Sequence, residues 1–426
     1  MHLFKILSRT VFTKGLTSLC SFLCVILTAR YMGAAGKGEI SLTVLNITLI
    51  LLLNDLLGGG AMVFMVPRYR LMSLLLPSWI WGIICGCLLP LFFFIARPFS
   101  GADYLTLCGL SVFLNLSSIN LAALNGKEKI KENNWVSIVQ VVVLLVLLWV
   151  GIFLFNTRTP FVFYFSLGVS YLISFLLSLF YLRADLLPGE FTPFKRLMKQ
   201  LLRNGFYVQL GNAVQLLNYR FAFYLLVYFH PLIGKSLVGV YSTAASVCES
   251  VWVISNGISM VQYARIANMS NRKAAQELTI SLSKVSLLAT VLAVGILCCL
   301  PAALFRWLFG SEFTELPLVI AYLSAGICAF GLASMYSHYF SGIGKMHISS
   351  RGSLIGFGIT LILGFWLVPV YGLAGAAITA CCSYLATAAY LFFCFKSDSG
   401  KGIFELLFSF KGLRASIQNT ATHVRN

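Results

Sequence analysis

Charge is what this chain has least of: Asp, Glu, Lys and Arg make up 10% of its 426 residues, where a soluble domain carries about a quarter. So few charged groups cannot cover a water-facing surface, which excludes a soluble fold and leaves lipid to cover much of the protein. Acidic residues are the scarcer sign, 13 against 31 Lys and Arg, for a net charge of +18. There is no basic stripe with interleaved aromatics outside the apolar runs, so the positive balance does not indicate nucleic acid as a partner. Histidine is reduced to five residues, and only His338 falls within an apolar run, where it reads as a packed polar side chain. No intramembrane His–Asp pair and no large outward loop is present to house a transferase or polymerase centre, so no enzyme is expected. A Walker lysine loop is also missing, which excludes a nucleotide motor in the chain itself. Cys20, Cys24, Cys85, Cys87, Cys108, Cys248, Cys298, Cys299, Cys328, Cys381, Cys382 and Cys394 all lie in apolar runs, without metal-ligand spacing or a disulfide framework. They read as small packing residues, and neither a metal nor a cofactor is expected.

What the chain does have is apolar length: 59% hydrophobic residues and a mean hydropathy of +0.89. A run of about 20 apolar residues crosses the hydrocarbon core of a bilayer. That rule predicts an all-α integral membrane protein with twelve spans, at 11–30, 40–66, 74–96, 105–124, 135–155, 161–182, 205–229, 238–264, 278–304, 317–340, 353–369 and 373–395. The first run already spans, so it reads as a retained helix rather than a cleaved leader. Basic residues alternate with the loops: 24 fall on the side of the N-terminus and 6 on the other, with Arg220 inside a span. The asymmetry persists through every alternation and predicts both termini in the cytosol.

The pattern divides into an N-terminal lobe (1–182, spans 1–6), a cytosolic amphipathic linker (183–204), a C-terminal lobe (205–395, spans 7–12) and a cytosolic tail (396–426). In the linker, Thr192 and Pro193 read as a helix start. Phe194, Leu197, Met198, Leu201 and Leu202 then repeat at helical spacing opposite Lys195, Arg196, Lys199 and Arg203. Residues 403–417 have a similar pattern. The two lobes read as a parallel repeat. Gly38-Glu39-Ile40-Ser41 opens span 2 and Gly239-Val240-Tyr241-Ser242 opens span 8, an offset of 201, while Gly126-Lys127 and Gly344-Lys345 follow spans 4 and 10, an offset of 218.

Three charges lie deep in spans: Asp55, Arg220 and Glu249. Each is costly in hydrocarbon, by about 2.5–3.5 kcal/mol, so each should face a cavity or a partner. Arg220 and Glu249 lie at comparable depth, roughly 14 and 16 Å from the outer side at 1.5 Å per residue, and are placed to pair. Gln209, Asn212, Gln215, Tyr219 and Arg220 share an arc of ~140° on span 7; Ser242, Ser246, Glu249, Asn256 and Tyr263 share one of ~100° on span 8. Such stripes read as the wall of a water-filled cavity; the alternative is an ion pair that only docks two helices. Beside Asp55, Gly58-Gly59-Gly60 reads as a bend or a close helix approach.

These residues carry a family resemblance. Ala29-Arg30-Tyr31-Met32-Gly33 with Gly36-Lys37-Gly38, Leu124-Asn125-Gly126-Lys127, Asn218-Tyr219-Arg220, Val238 through Trp252, Gly342-Ile343-Gly344-Lys345 and Val368-Pro369 through Ala377 occur in order at the matching spans. Over residues 1–395 the chain resembles the polysaccharide-transporter branch of the multidrug/oligosaccharidyl-lipid/polysaccharide exporter superfamily. The resemblance implies a two-lobed bundle in a bacterial inner membrane that flips polyprenyl-pyrophosphate-linked oligosaccharide by alternating access, for surface polysaccharide biosynthesis. It implies a cationic cavity with Arg220 as anion contact and Arg30 as a second, and as partners the lipid-linked oligosaccharide, membrane lipids, a glycan polymerase and other assembly proteins. Family members often carry an acid two positions after the span-7 arginine; here Ala222 stands there, and pairing falls to Glu249. The competing readings are a drug or small-cation exporter of the same superfamily, which would want acidic cavity groups, and a multispanning glycan polymerase or acyltransferase.

Overall fold

A computed structural model describes residues 2–96, 99, 101–186, 194–269 and 271–402, and every regular element among them is helical. In chain order they are α1 (His2–Gly58), α2 (Gly60–Met65), α3 (Leu71–Leu88), α4 (Pro90–Ile95), α5 (Tyr104–Gly126), α6 (Ile130–Phe153), α7 (Pro160–Leu182), α8 (Phe194–Phe229), α9 (Gly234–Ser250), α10 (Trp252–Ala267), α11 (Arg272–Cys299), α12 (Ala302–Phe309), α13 (Leu316–Gly342) and α14 (Met346–Ser399).

Eight helices among the described residues are long and apolar enough to cross a bilayer, and the bent pair α9–α10 makes a ninth. Two of the eight, 53 and 54 residues long, cover two crossings each, because about 20 residues suffice for one. Both break at a glycine: Gly33 (φ 71°, ψ 178°) and Gly372 (φ 51°, ψ −117°) adopt backbone angles that a side chain disfavours. The 36-residue α8, more polar than the rest, completes twelve crossings. The amphipathic linker and span 7 are one uninterrupted helix from Phe194. Its Thr192-Pro193 start, and the pattern over 403–417, lie outside the described residues. Span 9 ends earlier than expected, at Cys299, because Leu300 turns extended (ψ 134°) ahead of Pro301, whose ring disfavours the helical conformation for the residue before it.

The chain gathers into two compact units. The first holds the described residues of Met1–Leu216, Phe223–Thr243 and Phe305–Thr314, and the second those of Leu217–Ala222, Ala244–Leu304 and Glu315–Asn426.

The first unit packs Ile47, Leu107, Leu110, Leu148, Phe163 and Leu167 into one apolar core. Hydroxyls and amides join its helices where lipid offers no hydrogen bonds: Ser117 with Ser174 at 2.6 Å, Asn120 to Ser178 at 3.1 Å, and Trp79 Nε1 to Asn120 at 3.0 Å. Its most informative contact lies between repeated sequences. Ser41 donates to Ser242 at 2.8 Å, and these residues are 201 positions apart, the offset of the repeat. A Cβ on Gly38 would lie 3.0 Å from the Gly239 amide nitrogen and would collide with the Lys235 carbonyl. A Cβ on Gly239 would lie 3.0 Å from the Gly38 nitrogen and would collide with the Ala34 carbonyl. Lys235 and Ala34 also differ by 201, so equivalent positions of the two repeats meet across a local two-fold axis. Around it, Tyr224 donates to Asn46 at 2.5 Å and Lys235 pairs with Glu39 at 3.4 Å.

The second unit packs Tyr336, Tyr339, Phe340, Leu391 and Phe395 at one end. Between α10, α11 and α13, Ser255 bonds Thr290 and Ser286 at 3.0 and 2.9 Å. Gln262 donates to Thr279 and to the Met335 carbonyl at 3.1 and 3.0 Å. Near the helix ends Asp398 accepts from Arg272, from Lys345 at 3.3 Å, from Gln276 at 3.2 Å and from Tyr339 at 2.6 Å, tying α11, α13 and α14 together.

Candidate functional site

Arg220 and Glu249 meet in the second unit. Arg220 Nη1 donates to Glu249 Oε1 at 2.8 Å and Nη2 to Oε2 at 2.6 Å, the bidentate geometry a guanidinium offers to a carboxylate or a phosphate. The two side chains are 24% and 19% exposed, so the pair is neither sealed in the helix contact nor free in solvent. Local structure holds it in place. Asn218, 3% exposed, accepts from Thr360 at 2.8 Å and Ser383 at 2.5 Å, pinning this stretch of α8 to both halves of α14. Tyr219 packs against Trp252, Phe330 and Tyr384 with ring centroids at 5.8, 5.4 and 5.8 Å. Trp252 is held in turn by a bond from Nε1 to the Ile327 carbonyl at 3.1 Å. Arg220 thus projects from a segment fixed on both sides by neighbours that carry no charge.

The remaining stripe residues are placed differently. Gln209, Asn212 and Gln215 belong to the first unit. Gln209 is buried and donates to the Asp55 carbonyl at 3.4 Å, while Asn212 donates to Gln209 at 3.1 Å. Asn212 and Gln215 are exposed. Asp55, on the same unit, accepts from Asn54 at 3.1 Å and Ser118 at 3.3 Å, and no ion pair joins it to a cation among the described residues. Beside it the glycine run ends α1 at Gly58 and restarts the chain as α2, with Gly59 at φ −82°, ψ −128°.

Ser242 is buried against Ser41 rather than lining a wall, and the axes of α9 and α10 differ by 45° across Val251. A single straight-helix arc therefore does not describe span 8: Glu249 ends α9, and Asn256 and Tyr263, both exposed, belong to α10.

Arg30 lies in the first unit at the break in α1. It donates to the Trp307 carbonyl, with its guanidinium carbon 5.8 Å from the Trp307 ring centroid and 6.0 Å from that of Tyr31. Beyond the break, the Ala34 amide donates to Glu312 at 2.7 Å, and the Glu312 carboxylate fills the place where a side chain on Gly33 would stand. The sequence pointed to neither Glu312 nor the anchoring roles of Asn218 and Tyr224, because their partners lie 142 to 278 positions away.

No protein-family model matches the chain. Among curated proteins, residues of this chain are 30% identical over 171 positions to the capsular polysaccharide biosynthesis protein CapF of Staphylococcus aureus, covering 38% of this chain and 42% of CapF. They are 24% identical over 194 positions to an uncharacterised membrane protein of Methanocaldococcus jannaschii, covering 45% of this chain and 38% of the relative. The chain thus matches less than half the length of either relative. Among solved structures it superposes on a multidrug resistance MATE transporter in an inward-facing conformation, with a TM-score of 0.73 and 16% identity, over 90% of this chain and 94% of that one. It superposes equally on the lipid II flippase MurJ in an inward closed conformation, with a TM-score of 0.70 and 18% identity, over 93% and 88%. The chain therefore has the all-helical fold of these membrane transporters, with a segment similar to a capsular polysaccharide biosynthesis protein.

Proposed function

We propose that the chain is a flippase that carries a polyprenyl-pyrophosphate-linked oligosaccharide across a bacterial inner membrane, with both termini cytosolic. The observation that carries this reading is the bidentate Arg220–Glu249 pair, partly exposed within a membrane span. A guanidinium is always charged and cannot be left alone in a low-dielectric setting. Glu249 neutralises it when no substrate is present. A pyrophosphate offers the same two-oxygen geometry, so it can take the carboxylate's place on the guanidinium, leaving Glu249 to be hydrated at its exposed face. Likeness of fold to a lipid II flippase and sequence similarity to a capsule biosynthesis protein support a lipid-linked glycan as cargo. Likeness to MATE transporters alone would equally support a drug exporter, but an arginine repels the cations such an exporter moves. A glycan polymerase and other assembly proteins are the partners this reading implies.

The test is export of surface glycan in cells whose own copy is deleted. Arg220→Ala abolishes export at unchanged protein level, and Arg220→Lys restores part of it, since lysine keeps the charge but not the fork. Normal export by Arg220→Ala removes the reading.

A further inference from the structure

Within the second unit a separate group of uncharged side chains stands between α10 and α13, and none of it belongs to the ion pair on α8 and α9. His338 Nδ1 lies 2.8 Å from the Ser334 carbonyl oxygen. A carbonyl only accepts, so Nδ1 carries a proton, and Nε2 makes no bond to any described residue. The Ser334 hydroxyl stands 3.5 Å from the same ring nitrogen and 3.4 Å from Asn256 Oδ1. Tyr263 sets its ring at 79° to the imidazole with centroids 6.3 Å apart. Asn256 and Tyr263 are exposed and His338 is half-buried. The Asn256 amide donor, the Tyr263 hydroxyl and His338 Nε2 therefore all have hydrogen-bonding capacity that no described neighbour uses. An amide turned toward acyl chains would lose its water unreplaced, a cost that a wetted face avoids.

We infer that Asn256, Tyr263 and His338 form a docking site for the hydroxyl groups of a neutral sugar. The chemistry is the reason: an imidazole edge, an amide that both donates and accepts, and an aromatic ring with a polar edge recognise a polyhydroxylated ring and place no carboxylate, ammonium or guanidinium beside it. Asn256 and Tyr263 lie seven residues apart on α10, about 10 Å along the helix, and Glu249 precedes them on α9 across the bend at Val251. The sugar of a cargo whose phosphates lie at Arg220 would reach these residues in turn. The inference rests on the proposed function for its cargo, while its own residues are tested separately.

The experiment uses the full chain in nanodiscs and two probes: inorganic pyrophosphate, and the oligosaccharide repeat unit released from the host's surface polysaccharide. Binding of each is followed by calorimetry. His338→Ala and Asn256→Ala each weaken oligosaccharide binding about tenfold, the loss of one good hydrogen bond, and leave pyrophosphate binding unchanged. His338→Gln, which keeps an acceptor, recovers part of the loss. Tyr263→Phe changes only an exposed hydroxyl and keeps the test open if an alanine variant fails to fold. Oligosaccharide binding within twofold of wild type in all of these variants, or none in the wild type, overturns the inference. Pyrophosphate binding that is indifferent to Arg220→Ala overturns the proposed function instead.

Discussion

Glu249 occupies the same donors on Arg220 that an incoming phosphate needs, so at the scale of single residues the two compete. Glu249→Gln keeps the side chain's size but removes its charge, leaving the guanidinium without a strong counter-ion. The expected result is pyrophosphate binding at least about tenfold tighter in calorimetry, with slower export because the product is held. Asn218 is a packing residue with a different signature. Asn218→Ala leaves the Thr360 and Ser383 hydroxyls to find other partners, which Ser383 has already at the Gly356 carbonyl, 2.9 Å away. The loss is therefore modest, about 1 kcal/mol in reversible unfolding in detergent. Asp103 begins α5 and accepts from the Thr106 amide at 3.2 Å and its hydroxyl at 2.8 Å. Partial burial pushes its pKa up, but the bonds from Thr106 outweigh this and hold it below the ordinary carboxylate value. A carboxyl whose pKa is lower in the folded state stabilises above its unfolded value and loses that contribution as pH falls through the folded one. Asp103→Ala should cost about 1 kcal/mol at neutral pH, and its difference from wild type should shrink below about pH 4.

At the scale of helices, the crossing of the two repeats at Gly38 and Gly239 has no room for a side chain, because the obstacles are backbone atoms that cannot rotate away. Gly38→Ala and Gly239→Ala should each destabilise the protein by about 1–3 kcal/mol in chemical unfolding, or force this contact apart. Gly109 is the control. A Cβ there meets nothing within 4 Å, so Gly109→Ala should be neutral or stabilising by up to about 1 kcal/mol. Equal effects at all three positions would mean that the crossing is not tight. The crossing also gives a physical reason for the short repeated motif. In each repeat, glycine permits the approach and serine, three positions later, supplies the bond that joins the copies.

For the whole molecule, the 24-to-6 division of basic residues predicts that the even-numbered loops are cytosolic. Reporter fusions at Thr157 and Ser311 should be extracytoplasmic and a fusion at Gly189 cytosolic; the reverse pattern would overturn this topology. Large apolar side chains such as Phe92, Ile95, Leu105 and Trp366 are 69 to 77% exposed, which only a surrounding bilayer makes tolerable.

The approximate places of the crossings and the repeat offset of 201 were legible in the residues, whereas the breaks at Gly33 and Gly372 were not singled out. Each legible feature is written in local order: apolar length, and a motif that recurs. That Arg220 and Glu249 lie at matching depth was legible too, since both depths follow from a fixed rise per residue. Tertiary structure alone decided which polar groups meet. Asn218 with Thr360 and Ser383, Glu312 with Ala34, and His338 oriented beside Tyr263 are pairings set by helix packing across long separations. A polar residue in a span reports only that it needs a partner, and the partner's identity depends on where twelve helices come to rest.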